Sequence, residues 1–131
     1  MRHLLETNIC IYLIRRQPAQ VIERLEALHQ GEAAMSLVTY AELRAGIEMQ
    51  SRQRDQDERV LAELIGLIPV LPLDKAVAEA YGRLSAAVPD RRRNAFDRLI
   101  AAHALAVDAV LVTNNAADFE GYPGLRVENW I

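Results

Sequence analysis

Short apolar runs alternate with longer stretches of helical periodicity along the chain, and this alternation restricts the fold more than any other feature of the sequence. The clearest run, Val110–Thr113, is short and rich in β-branched residues, as expected of a strand buried on both faces. Further strand candidates lie at residues 4–5, 33–37, 69–73 and 125–127. Strands that alternate with helices predict an α/β fold with a mainly parallel sheet.

Residues that commonly begin or end helices divide the chain further. Thr7 and Asn8 are candidate N-caps for a first helix, and Gly31 is a candidate end for the second. Thr39, followed three residues later by Glu42, has the spacing of a capping box. Asp74 is a candidate cap for a later helix, and a last helix is predicted over residues 95–107.

Length and composition fit one globular domain spanning residues 1–131. Hydrophobic residues make up 51% and charged residues 25% of the chain, which argues against disorder. The single cysteine, Cys10, forms no internal disulfide, and no apolar stretch approaches the roughly 20 residues that a membrane helix needs. We therefore expect a cytoplasmic protein that does not interact with membranes.

The net charge of −3 argues against a generally basic protein that coats nucleic acid. Of the 15 basic residues, 14 are arginine, a bias that codon usage alone can produce. Four of them are concentrated near one predicted helix start: Arg91, Arg92, Arg93 and Arg98. This group is either a solvated loop or an RNA-binding cluster whose guanidinium groups hold phosphates.

Acidic and amide side chains come after the predicted strands or near the start of the helix that leads into one. The set is Glu6, Glu42, Asp97, Asn115 and Asp118. In parallel sheets, ligands bind beyond the carboxyl ends of the strands, so these side chains are predicted to meet at one edge. Carboxylates brought together repel one another, and Mg²⁺ or Mn²⁺ relieves that repulsion. Such a site can activate water for attack on a phosphodiester.

Each of these residues also has an ordinary structural interpretation. Glu42 can close the capping box with Thr39, Asp97 can favour the positive end of a helix, and Asp118 can form a turn. His103 is predicted to be a core or interface residue, and Cys10 a small buried apolar one. The apolar faces of helices near residues 41–50 and 59–68 either cover the core or form a groove for a partner peptide.

Four segments carry a resemblance to a known family. They are LLETNICIY at residues 4–12, SLVTYAELRAG at 36–46, NAFDRLIAAHA at 94–104 and VLVTNNAADFEGYPGLRVENW at 110–130. In this order they resemble the PIN-domain ribonucleases of the VapC type, which are toxins of bacterial toxin–antitoxin pairs. The resemblance extends over essentially the whole chain.

The resemblance implies a three-layer α/β/α fold and a Mg²⁺-dependent endoribonuclease, with Mn²⁺ as a possible substitute. It implies cleavage of structured RNA, with tRNA as the expected substrate. The implied partners are a VapB-type antitoxin, through which alone operator DNA is contacted, and a second copy of the chain in a homodimer. The implied catalytic residues are Glu6, Glu42, Asp97 and Asp118, with Glu6, Asp97 and Asp118 as metal ligands and Asn8, Thr113 and Asn115 as supporting groups.

The chain departs from the family pattern at two positions. The family has Asp where this chain has Glu6, and one extra methylene moves the carboxylate by about one bond length, which matters for the strict geometry of Mg²⁺. The alternative function is therefore an attenuated toxin that acts as an antitoxin-binding and co-repressor module. Many relatives have Asp at the position of Asn115, so Asp118 is the preferred metal ligand. A small-molecule phosphohydrolase is weaker, because the sequence lacks a Gly-rich phosphate loop.

Overall fold

A five-stranded parallel sheet forms the centre of the computed structural model, which describes residues 2–49, 52–90 and 92–131. The strands are β1 (His3–Leu5), β2 (Ala33–Ser36), β3 (Val70–Leu71), β4 (Val110–Thr113) and β5 (Val127–Asn129). Their order in the sheet is β3-β2-β1-β4-β5, and every neighbouring pair is parallel. The α/β prediction is therefore confirmed.

Helices cover both faces of this sheet. They are α1 (Thr7–Arg15), α2 (Ala19–Glu26), α3 (Leu37–Met49), α4 (Arg54–Leu67), α5 (Lys75–Ala87) and α6 (Ala95–Ala106), with a 3₁₀ turn at Ala116–Phe119. In the part of the chain that the structure describes, no helix has the length and apolar character needed to cross a membrane.

Neighbouring residues of the central strands point into two separate cores. Leu4 and Leu111 pack with α5 and α6, whereas Leu5 and Val112 pack with α1 and α4. All four side chains are completely buried. The sequences of the central strands are continuous apolar runs because both faces of these strands are buried. Helices packed on both faces of the sheet form a three-layer α/β/α arrangement.

The edge strands differ most from their sequence predictions. β3 has two residues within the predicted span 69–73, because Pro69 and Pro72 have no N–H to donate to a neighbouring strand. β5 begins at Val127 rather than at residue 125, and as predicted it lies at an edge of the sheet.

Several helix ends also differ. Glu6, and not Thr7 or Asn8, is the N-cap of α1. α3 begins two residues before the predicted cap Thr39, because the hydroxyl of Ser36 accepts a hydrogen bond from the backbone N of Val38 and satisfies the first turn. α2 ends at Glu26, five residues before Gly31. The Asp74 cap is confirmed, since its carboxylate accepts from the backbone N of Val77 at 3.1 Å.

Candidate acidic site

The carboxyl ends of β1 and β4 place the first acidic residues beside each other. These strands are paired through Leu5 and Val112, and the backbone N of Glu6 donates to the carbonyl of Val112 at 2.9 Å. Asp118 follows on the 3₁₀ turn after β4, while Glu42 and Asp97 come from α3 and α6. Four different elements therefore bring their carboxylates to one edge of the sheet.

Glu6 is buried, with 5% of its surface exposed. Its Oε2 accepts a hydrogen bond from the backbone N of Asn8 at 2.6 Å, and its Oε1 accepts from Oγ1 of Thr113 at 2.8 Å. Burial raises the pKa of the Glu6 carboxyl, and the charges of Glu42 and Asp118 raise it further against these two hydrogen bonds. The two hydrogen bonds therefore stabilise the ionised Glu6 carboxylate, while burial and the neighbouring negative charges destabilise it.

Glu42 is bound by a side chain from another helix. Its Oε1 accepts a hydrogen bond from Oγ1 of Thr7 at 2.7 Å, and the hydroxyl groups of Thr7 and Thr39 lie 3.3 Å apart. The capping-box interpretation of Thr39 and Glu42 is therefore wrong. Thr39 lies inside α3 and is fully buried, and Glu42 contacts α1 instead of the start of its own helix.

Asp97 lies in the first turn of α6. The Asn94 side chain caps this helix, its Oδ1 accepting from the backbone N of Phe96 at 2.8 Å and of Asp97 at 3.2 Å. Partial burial, and then the charges of Asp118, Glu6 and Glu42, raise the pKa of Asp97 to about 6. Among the described residues, no side chain donates a hydrogen bond to its carboxylate.

The predicted supporting residues connect β4 to the acidic cluster. The hydroxyl of Thr113 accepts from the backbone N of Asn115 at 3.0 Å, so its proton is available to Glu6. The side-chain amide of Asn115 donates to Oδ2 of Asp118 at 2.8 Å. Asn8 supports Glu6 through its backbone N, while its side chain donates to Asn114 at 3.4 Å.

Two contributors to the site were absent from the sequence prediction. Thr7 holds Glu42, and Asn114 donates from its side-chain amide to the Tyr12 hydroxyl at 2.8 Å. Thr7 was interpreted only as a candidate helix cap. Its position directly after Glu6 is the one sequence signal that could have indicated a role in the site.

The donor set has the chemistry of a divalent-cation site but is not assembled into one. Within residues 2–49, 52–90 and 92–131, no three acidic, histidine or cysteine side chains form a cluster that could hold a metal ion. The charged neighbours that raise the pKa of Asp97 and Glu6 are all carboxylates of the same acidic cluster. Mg²⁺ keeps several of its waters and binds through one or two carboxylates, so these side chains fit such an ion by type.

A cleft of about 530 Å³ opens beside Asp97 and Asp118. Arg92 and Arg93 line it, whereas Arg91 falls outside the described residues. Arg92 is almost fully exposed and pairs with Asp90, with Nε 3.2 Å from Oδ1. Arg93 donates to the carbonyl of Asp118 at 3.0 Å and lies 5.2 Å from the centre of the Tyr122 ring.

Arg98 is engaged inside the fold. Its Nη2 donates to the carbonyl of Val88 at 2.7 Å. It also contacts the Asp90 carbonyl, the Ser85 hydroxyl and the Tyr122 hydroxyl. It does not line the cleft. The predicted RNA-binding role therefore suits Arg92 and Arg93 better than Arg98.

The remaining sequence predictions concern the interior and a groove. His103 is fully buried in the core, as predicted, with Nδ1 2.7 Å from the Ser36 hydroxyl, whereas its Nε2 has no hydrogen-bond partner among the described residues. Cys10 is also buried, and burial raises the pKa of its thiol. The apolar faces of α3 and α4 largely cover the core, through residues such as Leu43 and Leu61. A groove of about 400 Å³ also lies between α1, α3 and α4. Apolar residues such as Ile14 line it, and Glu42 lies along it.

The sequence and the structure are both similar to those of one family of known proteins. Residues 3–125 match the PIN domain family. The tRNA(fMet)-specific endonuclease VapC of Shigella flexneri is 38% identical, with 99% of this chain and 98% of the relative covered. The structure is similar to VapBC2 from Rickettsia felis bound to a DNA fragment from its promoter, with a TM-score of 0.91 and 32% identity over 100% of both chains. It is also similar to DNA-bound VapBC from Salmonella typhimurium, with a TM-score of 0.90 and 32% identity over 100% of this chain and 99% of the other.

Proposed function

The chain belongs to the PIN domain family and, within it, to the VapC ribonucleases, and we propose that it is a Mg²⁺-dependent endoribonuclease toxin. The observation that supports this proposal is the convergence of Glu6, Glu42, Asp97 and Asp118 at one sheet edge, beside a cleft lined by arginines. Glu6, Asp97 and Asp118 would hold a divalent cation at this edge, and the cation would neutralise the negative charge that the carboxylates and a phosphodiester bring together.

Glu6, Asp97 and Asp118 are the proposed metal ligands, with Glu42 as a fourth acidic group. The metal would supply charge neutralisation and a more acidic bound water, so that RNA is hydrolysed to a 5′-phosphate and a 3′-hydroxyl. The chain's own residues then position the reactants. Thr113 fixes Glu6 through its hydroxyl, and Asn115 restrains Asp118 through its side-chain amide.

The RNA would be held at the cleft beside Asp97. Arg92 is exposed there, so its guanidinium can exchange Asp90 for a phosphate without leaving a buried group unpaired. Arg93 is tied to the backbone after β4 and offers positive charge close to Asp118. We propose tRNA as the substrate, which is supported by the name of the Shigella relative.

We further propose that a VapB-type antitoxin inhibits the chain and provides its only contact with operator DNA. Solved relatives are toxin–antitoxin complexes, some bound to DNA. The groove between α1, α3 and α4 is lined by apolar side chains such as Ile14 and by polar ones such as Gln56, and it runs along Glu42. A peptide bound there would lie against the acidic site.

We propose a homodimer as well. A second, almost wholly apolar groove of about 430 Å³ has exposed Leu37, Leu73 and Phe96 along it, which is consistent with a surface that pairs with a second copy.

Cleavage of total bacterial tRNA by the purified, antitoxin-free protein tests the enzymatic proposal. We expect discrete fragments with Mg²⁺ or Mn²⁺, none with EDTA, and a loss of at least 100-fold for Asp97→Asn. Asp108→Asn is the matched control, because Asp108 is exposed and precedes β4 at the opposite end of the sheet. Cleavage that survives Asp97→Asn unchanged would show that the acidic site is wrongly assigned.

The alternative function is an attenuated toxin that serves as an antitoxin-binding and co-repressor module. The observation that favours it is the engagement of both Glu6 oxygens by Asn8 and Thr113. A Glu6→Asp variant in the same assay separates the two functions. Fragments from the variant alone would identify an attenuated enzyme, whereas fragments from both proteins would show that Glu6 is compatible with catalysis.

A further inference from the structure

Thr7 is the residue that connects α1 to the acidic side chain of α3. Its Oγ1 lies 2.7 Å from Oε1 of Glu42, although the two residues are 35 positions apart in the chain. In the described part of the chain, no other side chain donates a hydrogen bond to Glu42. Thr7 belongs to none of the groups discussed so far as metal ligands or RNA contacts.

The position of the Thr7 proton follows from the two distances. A hydroxyl has one proton, and a bond of 2.7 Å to a carboxylate is short enough to be charge-assisted. The weaker contact with the Thr39 hydroxyl, at 3.3 Å, is then the one in which Thr7 accepts. Thr39 is fully buried, so its fixed side chain restrains the Thr7 side chain through this contact.

The same arrangement holds the neighbouring carboxylate. Thr113 donates to Glu6 from β4, as Thr7 donates to Glu42 from α1. Thr7 directly follows Glu6, so the start of α1 supplies one acidic group of the site and restrains another. A shift of this backbone would move both carboxylates together.

We propose that Thr7 is a positioning residue that holds Glu42 in the orientation the acidic site requires. This inference rests on the proposed metal-dependent function and adds to it a residue that touches neither RNA nor metal. Without the Thr7 hydroxyl, the Glu42 side chain is free to rotate about its own bonds. A displacement of about 1 Å in such a group costs up to about 100-fold in rate.

Thr7→Val and Thr7→Ser test the proposal. Valine keeps the shape of threonine and removes the hydroxyl, while serine keeps the hydroxyl. We expect Thr7→Val to lower kcat for RNA cleavage by about 10- to 100-fold with little change in KM, and to weaken Mn²⁺ binding to the RNA-free protein by about 5-fold or more. Thr7→Ser should stay within about 3-fold of the original protein in both measurements. Thermal unfolding of each variant checks that the fold is intact.

A double-mutant cycle with Glu42→Gln distinguishes positioning from a general structural role. If Thr7 acts through Glu42, Thr7→Val adds less than about 2-fold to the loss of Mn²⁺ affinity caused by Glu42→Gln. An equal loss on both backgrounds would overturn the proposal, and so would a Thr7→Val protein that behaves like the original.

The two readouts also separate this inference from the function on which it rests. Mn²⁺ binding that shows the coupling, in a protein that cleaves no RNA, supports the role of Thr7 and contradicts the ribonuclease. RNA cleavage that is insensitive to Thr7→Val does the reverse. A protein that neither binds Mn²⁺ nor cleaves RNA contradicts both.

Discussion

Asp97 differs from the other acidic residues in having no hydrogen-bond donor for its carboxylate among the described side chains. Glu6 has Thr113, Glu42 has Thr7, and Asp118 has Asn115. Its ionised form is therefore opposed by burial and by three nearby negative charges with no compensating contact. A group in this state gains more than its neighbours from a bound cation.

This electrostatic penalty predicts that Asp97→Asn stabilises the metal-free protein. The folded pKa of about 6 lies above the usual aspartate value of 3.8, so ionisation opposes folding increasingly as the pH rises from about 4 to about 6, and fully above that range. We expect the variant to gain about 1 to 2 kcal/mol in free energy of unfolding at pH 7.5, since partial exposure weakens the full effect. Urea unfolding in EDTA measures it.

Two comparisons check the cause of that gain. At pH 3.5 the two proteins should unfold at nearly the same urea concentration, because Asp97 is then mostly protonated in both states. Adding Mg²⁺ should stabilise the original protein more than the variant. A gain that persists at pH 3.5 would mean that repulsion among carboxylates is not its source.

At the scale of single elements, Arg98 connects α6 to the loop that precedes it and to Tyr122. Its guanidinium reaches the Val88 and Asp90 carbonyls and the Tyr122 hydroxyl in three directions. A lysine ammonium is a point charge and cannot reach partners spread in this way. We expect Arg98→Lys to lower the free energy of unfolding by about 2 to 3 kcal/mol.

Arg92→Lys is the matched control, because Arg92 is 92% exposed and its ion pair among the described residues is with Asp90. It should leave the free energy of unfolding essentially unchanged, because the side chain is exposed. Urea unfolding measures both variants under the same conditions. Equal effects of the two substitutions would contradict the structural role assigned to Arg98.

The elements also show what the sequence could predict. The sequence located β1 and β4, the strands that lead into the acidic site, because residues buried on both faces of a sheet form an unbroken apolar run. Strand ends then located the acidic residues. Helix starts were less predictable, because Thr39 matches a cap pattern while the hydroxyl one turn earlier, on Ser36, satisfies the backbone. The pairing of Thr7 with Glu42 depends on how α1 packs against α3, which local sequence does not encode.

At the scale of the whole molecule, two groups of titrating residues act on stability in opposite directions. The carboxylates of Glu6 and Asp97 have raised pKa values, so their ionisation makes the fold less stable as the pH rises. His103 lies in the core between α6 and β2, where burial lowers its pKa and the charge of Asp74 opposes this only partly. The pH dependence of the free energy of unfolding, measured on the original protein alone, therefore does not separate the contribution of the carboxylates from that of His103.

A difference measurement isolates His103. The folded pKa of His103 lies below the usual histidine value of 6.5, so the unfolded chain binds up to one more proton in the interval just below pH 6.5. Stability is therefore lost as the pH falls through that interval. His103→Gln retains a hydrogen-bonding group for Ser36 and does not titrate. Its stability relative to the original protein should rise as the pH is lowered from 7.5 to 5, by at most about 1.4 kcal/mol per pH unit. Both proteins contain the same carboxylates, so the titration of these groups cancels when the two free energies of unfolding are subtracted. A difference in free energy of unfolding that stays constant between pH 7.5 and 5 would show that the buried imidazole is not the acid-sensitive group of this core.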